Sequence, residues 1–293
     1  MNHEKFHGVY TALLTPYDDD GNIDCAALKK LIDSQIDDGI NGFYADGTTS
    51  DAFMLTTEQR KEVIKASVDA VSGRVPVIAQ VGSMSTDEAI SLAKYAESVG
   101  ADAISAVTPF YFSFTIREIK QYYRDIVSAV SIPLFIYMIP VRAGVVFTYE
   151  DLEDLLSDDR FIGLKYTSND FYLLSRLTKR FPDKVFFNGF DEMFIAGLSV
   201  GAHGAIGSTY NLAPRVAAGI YRCWKAGQTD EARKYQQIMC DIIAGLFSVE
   251  YMPALRRALE LKGFSMGKIH APYLPVDEKR TEYIKKEILP LTE

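Results

Sequence analysis

The sequence has few of the residues that cross-link small domains or hold metal ions. Only three cysteines (Cys25, Cys223 and Cys240) and four histidines occur in 293 residues. An odd number of widely spaced cysteines is not the pattern of a disulfide framework or a zinc site, and it favours free thiols in a reducing compartment. The histidines are scattered too, and no two of them have the spacing of metal ligands. We therefore expect a cytoplasmic protein without a bound metal ion.

The chain also lacks an excess of positive charge and any long apolar stretch. Its 31 basic residues are outnumbered by 39 acidic ones, which gives a net charge of −8. Nucleic acids and anionic membranes bind basic surfaces, so neither is an expected partner. No apolar run approaches the about 20 residues of a membrane-spanning helix. The polar segment Met1–His7 does not resemble a signal peptide.

Short apolar segments recur along the chain, and segments with helical periodicity follow them. Eight are predicted as strands: Val9–Tyr17, Gly42–Ala45, Val75–Val81, Ala103–Thr108, Pro133–Ile139, Phe161–Tyr166, Val185–Asn188 and Gly204–Ser208. Continuous apolar strands alternating with helices are typical of a parallel sheet covered by helices. Eight such units predict an α/β fold, the (β/α)₈ TIM barrel. An open doubly wound sheet is the alternative, which the lack of a G-x-G-x-x-G motif after the first strand disfavours.

More helix follows the eighth strand than a barrel requires. Helical patterns cover Ala213–Ala226, Thr229–Leu246, Met252–Leu261 and Asp277–Leu289. The first of these completes the barrel, and the others predict a C-terminal helical extension. We therefore divide the chain into a barrel that carries the active site, residues 1–226, and an extension packed on it, residues 227–293.

Two residues on neighbouring predicted strands are candidates for chemistry, because a barrel's active site lies at the carboxyl ends of its strands. Lys165 lies in the apolar strand FIGLKY. Burial would lower the pKa of its amine and make it a nucleophile toward carbonyl carbon. A structural lysine that reaches the rim or pairs with a carboxylate is the alternative. Tyr137 would move protons during imine formation, or would be a core tyrosine with a hydrogen-bonded hydroxyl.

The loop after the second predicted strand contains Gly47-Thr48-Thr49. Its backbone N–H groups and two hydroxyls are able to hold a carboxylate. The same residue types also occur in an ordinary loop that caps a helix. The pattern alone therefore does not decide whether this loop binds a substrate.

Taken together, these residues resemble the N-acetylneuraminate lyase and dihydrodipicolinate synthase superfamily of class I pyruvate aldolases, over nearly the whole chain. The resemblance rests on five motifs: Leu14-Thr15-Pro16, Gly47-Thr48-Thr49, Thr108-Pro109-Phe110-Tyr111, Tyr137 followed by Pro140, and Gly163-Leu164-Lys165. It implies that Lys165 forms a Schiff base with the carbonyl carbon of a 2-keto acid, without any cofactor, and that Tyr137 shuttles protons. It also implies that Thr48 and Thr49 bind the substrate carboxylate.

The resemblance extends to assembly. Members of the superfamily are commonly tetramers built as dimers of dimers. By this resemblance Tyr111 reaches into the site of a neighbouring subunit, and the chain forms a homotetramer.

Other segments resemble the sialic acid lyase branch of the superfamily. In that branch, the positions that match five residues here contact the polyhydroxylated tail of the substrate: Thr167, Gly189, Asp191, Glu192 and Ser208. A sugar chain needs many convergent hydrogen-bonding groups, and two adjacent acids accept from several hydroxyls. The resemblance therefore implies reversible cleavage of N-acetylneuraminate to pyruvate and N-acetylmannosamine.

Four residues depart from the patterns of the superfamily. Ser50-Asp51 replaces a usual Gly-Glu, and Met138 replaces an asparagine after the tyrosine. Arg142 matches an arginine of the synthase branch that binds the carboxylate of the second substrate, whereas the sialic acid branch usually has an apolar residue there. A buried arginine would favour an anionic second group. A rim arginine in a salt bridge would not.

These departures keep other functions open. One is dihydrodipicolinate synthase, which condenses pyruvate with aspartate semialdehyde. Another is a different aldolase or dehydratase of the superfamily that acts on a sugar-derived 2-keto acid. A third, of another class, is a non-catalytic ligand-binding barrel in which Ser50, Asp51 and Met138 are relics. The retention of both Lys165 and Tyr137 argues against the third.

Overall fold

Eight parallel strands close into a barrel in the computed structural model, which describes residues 3–293. Each strand pairs with the next along the chain, and the first pairs with the eighth. The strands are β1 (Gly8–Ala12), β2 (Gly42–Ala45), β3 (Val77–Gln80), β4 (Ala103–Val107), β5 (Leu134–Met138), β6 (Phe161–Tyr166), β7 (Val185–Asn188) and β8 (Gly204–Gly207). The predicted (β/α)₈ barrel is therefore confirmed.

Helices alternate with the strands and cover the outside of the barrel. They are α1 (Cys25–Asp37), α2 (Thr57–Val71), α3 (Thr86–Ser98), α4 (Ile116–Ser128), α5 (Pro140–Ala143), α6 (Tyr149–Leu156), α7 (Phe171–Arg180), α8 (Phe194–Ser199), α9 (Pro214–Lys225), α10 (Thr229–Ser248), α11 (Tyr251–Leu261) and α12 (Glu278–Tyr283). Three of them, α2, α4 and α6, begin with a capping box on Thr56, Thr115 and Thr148. Each box satisfies backbone N–H groups that the first helical turn leaves free.

The largest differences from the predicted boundaries occur in β1 and in the last helix. The segment predicted as Val9–Tyr17 is a strand only as far as Ala12. Beyond it the chain leaves the barrel, and the N–H of Tyr17 donates to the carbonyl oxygen of Met266. The helix predicted over Asp277–Leu289 is α-helical only as Glu278–Tyr283, and continues as a π turn and a 3₁₀ turn.

The interior of the barrel is filled by large side chains, so that it forms a core rather than a channel. Among them are Tyr10, Tyr44, Phe135, Ile162 and Phe187, all of them fully buried. Bulky layers of this kind are typical of TIM barrels and leave space for a site only above the last layer. The substrate must therefore approach from the carboxyl ends of the strands.

The helices after α9 form the predicted C-terminal extension. Met239, Ile242 and Leu246 of α10 and Leu255 of α11 are buried in one apolar cluster with Val9 of β1. The extension thus packs on the barrel through a continuous core. The boundary between two domains after residue 226 stays a prediction.

Over residues 3–293, no individual helix has both the length and the apolar character needed to span a bilayer. Helices α10 and α11 have the required length and composition only when taken together, and the pair is bent by 111° at the break between them.

Candidate active site

Lys165 lies on β6 with its side chain in a cavity at the carboxyl ends of the strands. The residue is only 5% exposed. Burial lowers the pKa of its amine to about 7, and the negative charge of Asp191 opposes this shift. The neutral form, which attacks carbonyl carbon, is therefore accessible near neutral pH.

Two tyrosine rings hold the amine of Lys165. Its Nζ lies 3.9 Å from the ring centroid of Tyr44 and 4.1 Å from that of Tyr137. These rings favour the charged form through cation–π attraction and restrict where the amine points. The Tyr44 hydroxyl is occupied elsewhere, because it donates to Oγ of Ser105 at 3.0 Å. Tyr44 therefore positions the amine through its ring.

Tyr137 faces Lys165 directly across the β5–β6 pair. Burial raises the pKa of its phenol, while the neighbouring hydroxyls of Thr48 and Thr167 lower it. The phenol is therefore protonated at neutral pH and lies beside two hydroxyls that are able to pass a proton on. Glycine is required at position 189, because a Cβ atom there would overlap the hydroxyl of Thr167.

Two acids follow β7 and provide the negative side of the cavity. Asp191 is buried, and its Oδ2 accepts the N–H of Thr209 at 2.8 Å. Burial raises the pKa of this carboxyl to about 6, and the hydrogen bonds from Thr209 oppose the shift. Glu192 is exposed at the mouth. The pair therefore offers one fixed and one solvated carboxylate to a ligand with many hydroxyls.

One cavity of about 250 Å³ connects these groups. The strand ends bring together in its lining all but one of the predicted site residues: Thr48, Thr49, Tyr137, Arg142, Lys165, Thr167, Gly189, Asp191, Glu192 and Ser208. Tyr111 is the exception; it lies outside this cavity and is 78% exposed. The roles of these residues stay predictions.

The extension supplies a wall of the cavity that the sequence reasoning did not identify. This wall consists of Ile243, Phe247, Tyr251, Met252 and Tyr273. Helical periodicity indicates that these segments are amphipathic, but not which residue faces a cavity formed by distant strands. Tyr44 was missed as well, although its place on a short apolar strand was a signal that it points into the barrel.

Arg142 is exposed on the short helix α5 at the rim of the cavity. It is therefore not the buried arginine that one interpretation required. Within residues 3–293 no carboxylate lies within ion-pair distance of its guanidinium, so the salt bridge of the other interpretation does not form there either.

The other departures from the family pattern lie behind the lining. Oγ of Ser50 donates to the carbonyl oxygen of Leu13 at 2.7 Å. Asp51 is buried 3.9 Å from Arg256 and 4.0 Å from His270, and burial raises its pKa. Met138 is packed in the outer apolar core. Ser50 and Asp51 belong to the loop that contains Thr48 and Thr49, and none of the three residues lines the cavity.

The start of that loop is fixed by a buried ion pair. Nε of Arg60 donates to Oδ2 of Asp46 at 2.8 Å, and its Nη2 donates to the carbonyl oxygens of Gln80 and Gly82. Asp46 adopts a left-handed conformation with φ of 55°, which is uncommon for residues other than glycine. The pair therefore holds a strained turn at the point where the backbone leaves β2.

Across residues 3–293, no group of three or more histidine, cysteine or acidic side chains is arranged to hold a metal ion.

We expect the rate of imine formation with pyruvate to rise as the pH increases through about 7. A lowered amine pKa means that the neutral, nucleophilic form accumulates above that pH instead of above the ordinary value of 10.5. The measurement is the initial rate of borohydride-trapped adduct between about pH 5.5 and about pH 9. A rate that still climbs steeply at the upper end would show that the amine keeps an ordinary pKa.

The sequence and structure are similar to known proteins over almost the entire chain. The model of the dihydrodipicolinate synthetase family matches residues 5–289. CdNal from Clostridium difficile, solved in complex with mannosamine, is 37% identical, with 98% of this chain and 99% of that chain covered and a TM-score of 0.95. N-acetylneuraminate lyase from Fusobacterium nucleatum, complexed with pyruvate, is 37% identical, with 99% of each chain covered and a TM-score of 0.94.

A more distant similarity is to a sialic acid aldolase. The sialic acid aldolase of Ruminococcus gnavus was solved as a catalytic lysine mutant. It is 29% identical, with 99% of this chain and 97% of that chain covered and a TM-score of 0.95.

Proposed function

This chain belongs to the dihydrodipicolinate synthetase family, and from that premise we propose that it is a class I lyase that cleaves N-acetylneuraminate into pyruvate and N-acetylmannosamine. The observation that carries the proposal is the buried amine of Lys165, whose pKa is about 7, beside the phenol of Tyr137 in a cavity rich in hydroxyls and acids. The similar lyases, solved with pyruvate and with mannosamine, support the same choice of substrate.

The reaction begins when the neutral amine of Lys165 attacks C2 of the open-chain sugar acid. Thr48 and Thr49 hold the carboxylate next to that carbon. The C2 oxygen gains two protons and leaves as water, and a protonated imine forms. The phenol of Tyr137 moves these protons, because it lies beside the amine and near the hydroxyls of Thr48 and Thr167.

Carbon–carbon cleavage follows from the charge on the imine. Loss of the C4 hydroxyl proton, with Tyr137 as the carrier, converts C4 into an aldehyde and breaks the C3–C4 bond. The electron pair of that bond moves into the imine and gives an enamine. A proton then adds to C3, and water hydrolyses the imine to pyruvate and the free amine. This sequence needs no metal ion or organic cofactor.

The polar side of the cavity supports a sugar chain as the second part of the substrate. Asp191, Glu192, Ser208 and Thr167 present carboxylate and hydroxyl oxygens on one side of Lys165. Hydroxyls of a sugar tail are donors that match such acceptors. Aspartate semialdehyde lacks such a chain of hydroxyls, and its carboxylate would be repelled by two neighbouring acids.

One residue favours the alternative synthase reaction, and we expect that it is not needed for sugar-acid cleavage. Arg142 is the cation at the rim of a cavity whose other charged wall is acidic. Because it is exposed, Arg142→Leu should leave kcat/KM for N-acetylneuraminate within about threefold of the parent or raise it. Steady-state cleavage assays check this. A loss of a hundredfold or so would instead show that Arg142 contacts the sugar acid. Condensation of pyruvate with aspartate semialdehyde by the parent enzyme would favour the synthase.

The function itself is tested by intact mass after borohydride reduction, with pyruvate and with N-acetylneuraminate in separate tubes. A reduced pyruvyl adduct on Lys165 in both tubes is expected, because cleavage of the sugar acid leaves the pyruvate part on the amine. An adduct in the pyruvate tube alone would keep the mechanism and reject the substrate. No adduct in either tube would reject the lyase and favour a non-catalytic ligand-binding barrel.

The proposal includes assembly into a homotetramer, with Tyr111 completing the site of a neighbouring subunit. Exposed aromatic side chains cluster beside the cavity mouth: Phe53, Phe110, Tyr111, Phe112 and Phe114. Exposed apolar patches of this size commonly mark interfaces between subunits. Sedimentation analysis should give four times the 32.7 kDa of one chain. A monomer at micromolar concentration would contradict the assembly.

We also place the enzyme in the cytoplasm, because an odd number of widely spaced cysteines favours a reducing compartment.

A further inference from the structure

Three hydroxyl groups meet where the C-terminal extension closes the cavity. Tyr251, the first residue of α11, has its hydroxyl oxygen 2.8 Å from Oγ of Ser208 and 2.7 Å from Oγ1 of Thr209. The ring of Phe247 packs against that of Tyr251, with centroids 4.8 Å apart, and both residues line the cavity. Tyr251 therefore connects the extension to the polar side of the site.

The hydrogen atoms of this cluster can be assigned by counting. Each hydroxyl has one hydrogen to donate, while an ionised carboxylate can only accept. Asp191 accepts the N–H of Thr209, and the Thr209 hydroxyl also stabilises its negative charge, because it lowers the pKa of that carboxyl. Above pH 6 or so that carboxylate is ionised, so the Thr209 hydrogen points at Asp191.

The remaining two contacts follow from that assignment. Because Thr209 has no second hydroxyl hydrogen to give, the Tyr251 hydroxyl must donate to Oγ1 of Thr209. The Ser208 hydroxyl must then donate to the hydroxyl oxygen of Tyr251. The chain therefore runs in one direction, from Ser208 through Tyr251 and Thr209 to Asp191, and neutral hydroxyls in such a chain polarise one another.

We propose that Tyr251 is a positioning residue that fixes Ser208 as a hydrogen-bond acceptor, so that this side of the cavity selects a ligand that presents a hydrogen-bond donor there. With its own hydrogen held by Tyr251, Ser208 has only lone pairs left for the ligand. A free hydroxyl or amide N–H of the sugar tail satisfies it, whereas an ether oxygen at the same point does not. This proposal rests on the proposed lyase function. It identifies Tyr251, acting through Ser208, as the residue that sets how the enzyme discriminates among sugars.

The experiment compares the parent with Tyr251→Phe in the direction of condensation. Pyruvate is offered with N-acetylmannosamine and with its singly O-methylated derivatives, since a methyl ether accepts but cannot donate. The parent should lose at least about a hundredfold in kcat/KM when one particular hydroxyl is methylated, because a buried acceptor is left unpaired. In Tyr251→Phe the Ser208 hydrogen is free to donate to the ether, and this discrimination should fall about tenfold.

Tyr210→Phe is the matched control. Its hydroxyl is buried and has no hydrogen-bond partner among the described residues, and it does not line the cavity. This variant should discriminate as the parent does. Because Tyr251→Phe keeps the ring against Phe247, thermal unfolding should show both variants to be folded.

Two outcomes would overturn the inference. One is a parent that accepts every O-methyl derivative equally well. The other is a Tyr251→Phe variant that discriminates as strongly as the parent. Borohydride trapping with pyruvate separates either outcome from failure of the lyase function, because trapping does not involve the sugar tail: an adduct on Lys165 of the parent keeps the lyase function, and its absence rejects it.

Discussion

Replacement of Lys165 by alanine is expected to lower kcat/KM for cleavage of N-acetylneuraminate by at least about ten-thousandfold, and to abolish the borohydride adduct with pyruvate. No other lysine amine lines the cavity of the described chain, so the covalent route loses its only nucleophile there. Loss of a nucleophile commonly removes nearly all of the chemical rate enhancement. The fold should survive, because burial disfavours the charged amine and its removal takes away an unfavourable group.

The chain offers a matched control for this variant. Lys184 is another buried lysine, but it lies just before β7 at the opposite end of the barrel from the site, where its amine is 3.6 Å from Asp159. Lys184→Ala should therefore retain turnover and adduct formation. Cleavage assays, intact mass and thermal unfolding of both variants provide the test. Residual turnover of Lys165→Ala above about a tenth of the parent would refute the imine mechanism.

The identity of this lysine shows what the sequence pattern could and could not supply. A charged residue inside the strand FIGLKY left a nucleophile and a structural lysine equally open, since pattern does not report burial or pKa. The resemblance to a known superfamily favoured the first interpretation. The structure adds the physical cause, because burial lowers the pKa of the amine to about 7, although the charge of Asp191 opposes the shift.

The barrel was predictable because its signal is local and repeated. Each strand is a short apolar run, and seven of the twelve helices begin with a side-chain cap. Eight repeated strand signals therefore indicated one architecture. The end of β1 was not predictable in this way. Apolar residues continue through Leu14, but their contacts there are with a distant part of the chain, including the bond from Leu14 N–H to Asn211.

The wall supplied by the extension was beyond sequence reasoning for a similar reason. Tyr251 follows the last strand by more than 40 residues. Its place in the cavity depends on how α10 and α11 pack against the barrel, and no periodicity encodes that packing. Ser208 was identified from the resemblance, yet its donor direction depends on Tyr251 and so required the structure.

Tyr137→Phe is the second change expected to have a large effect. It should lower kcat/KM by about a hundredfold to a thousandfold, because a positioned proton carrier typically contributes that much. The ring that lies 4.1 Å from Nζ of Lys165 is retained, so the amine keeps both its cation–π neighbours and its burial. Imine formation should therefore become slow, while the adduct still accumulates after long incubation with pyruvate.

Tyr166→Phe is the matched control, since Tyr166 follows Lys165 on β6 but points into the outer core, where its hydroxyl donates to the carbonyl oxygen of Asp170. It should leave the trapping rate near that of the parent.

The pH dependence of trapping in Tyr137→Phe separates two roles that a lower rate alone does not. If the phenol only carries protons, the midpoint of the profile stays near pH 7, because that midpoint belongs to Lys165 and is caused by burial. If the phenol instead helps to set the pKa of the amine, the midpoint of the pH profile shifts. The trapping rate then recovers at a pH displaced in the same direction as the midpoint. An unchanged midpoint with a uniformly lower rate is the result we expect. A moved midpoint with full recovery would reassign Tyr137 from proton carrier to a residue that tunes the amine.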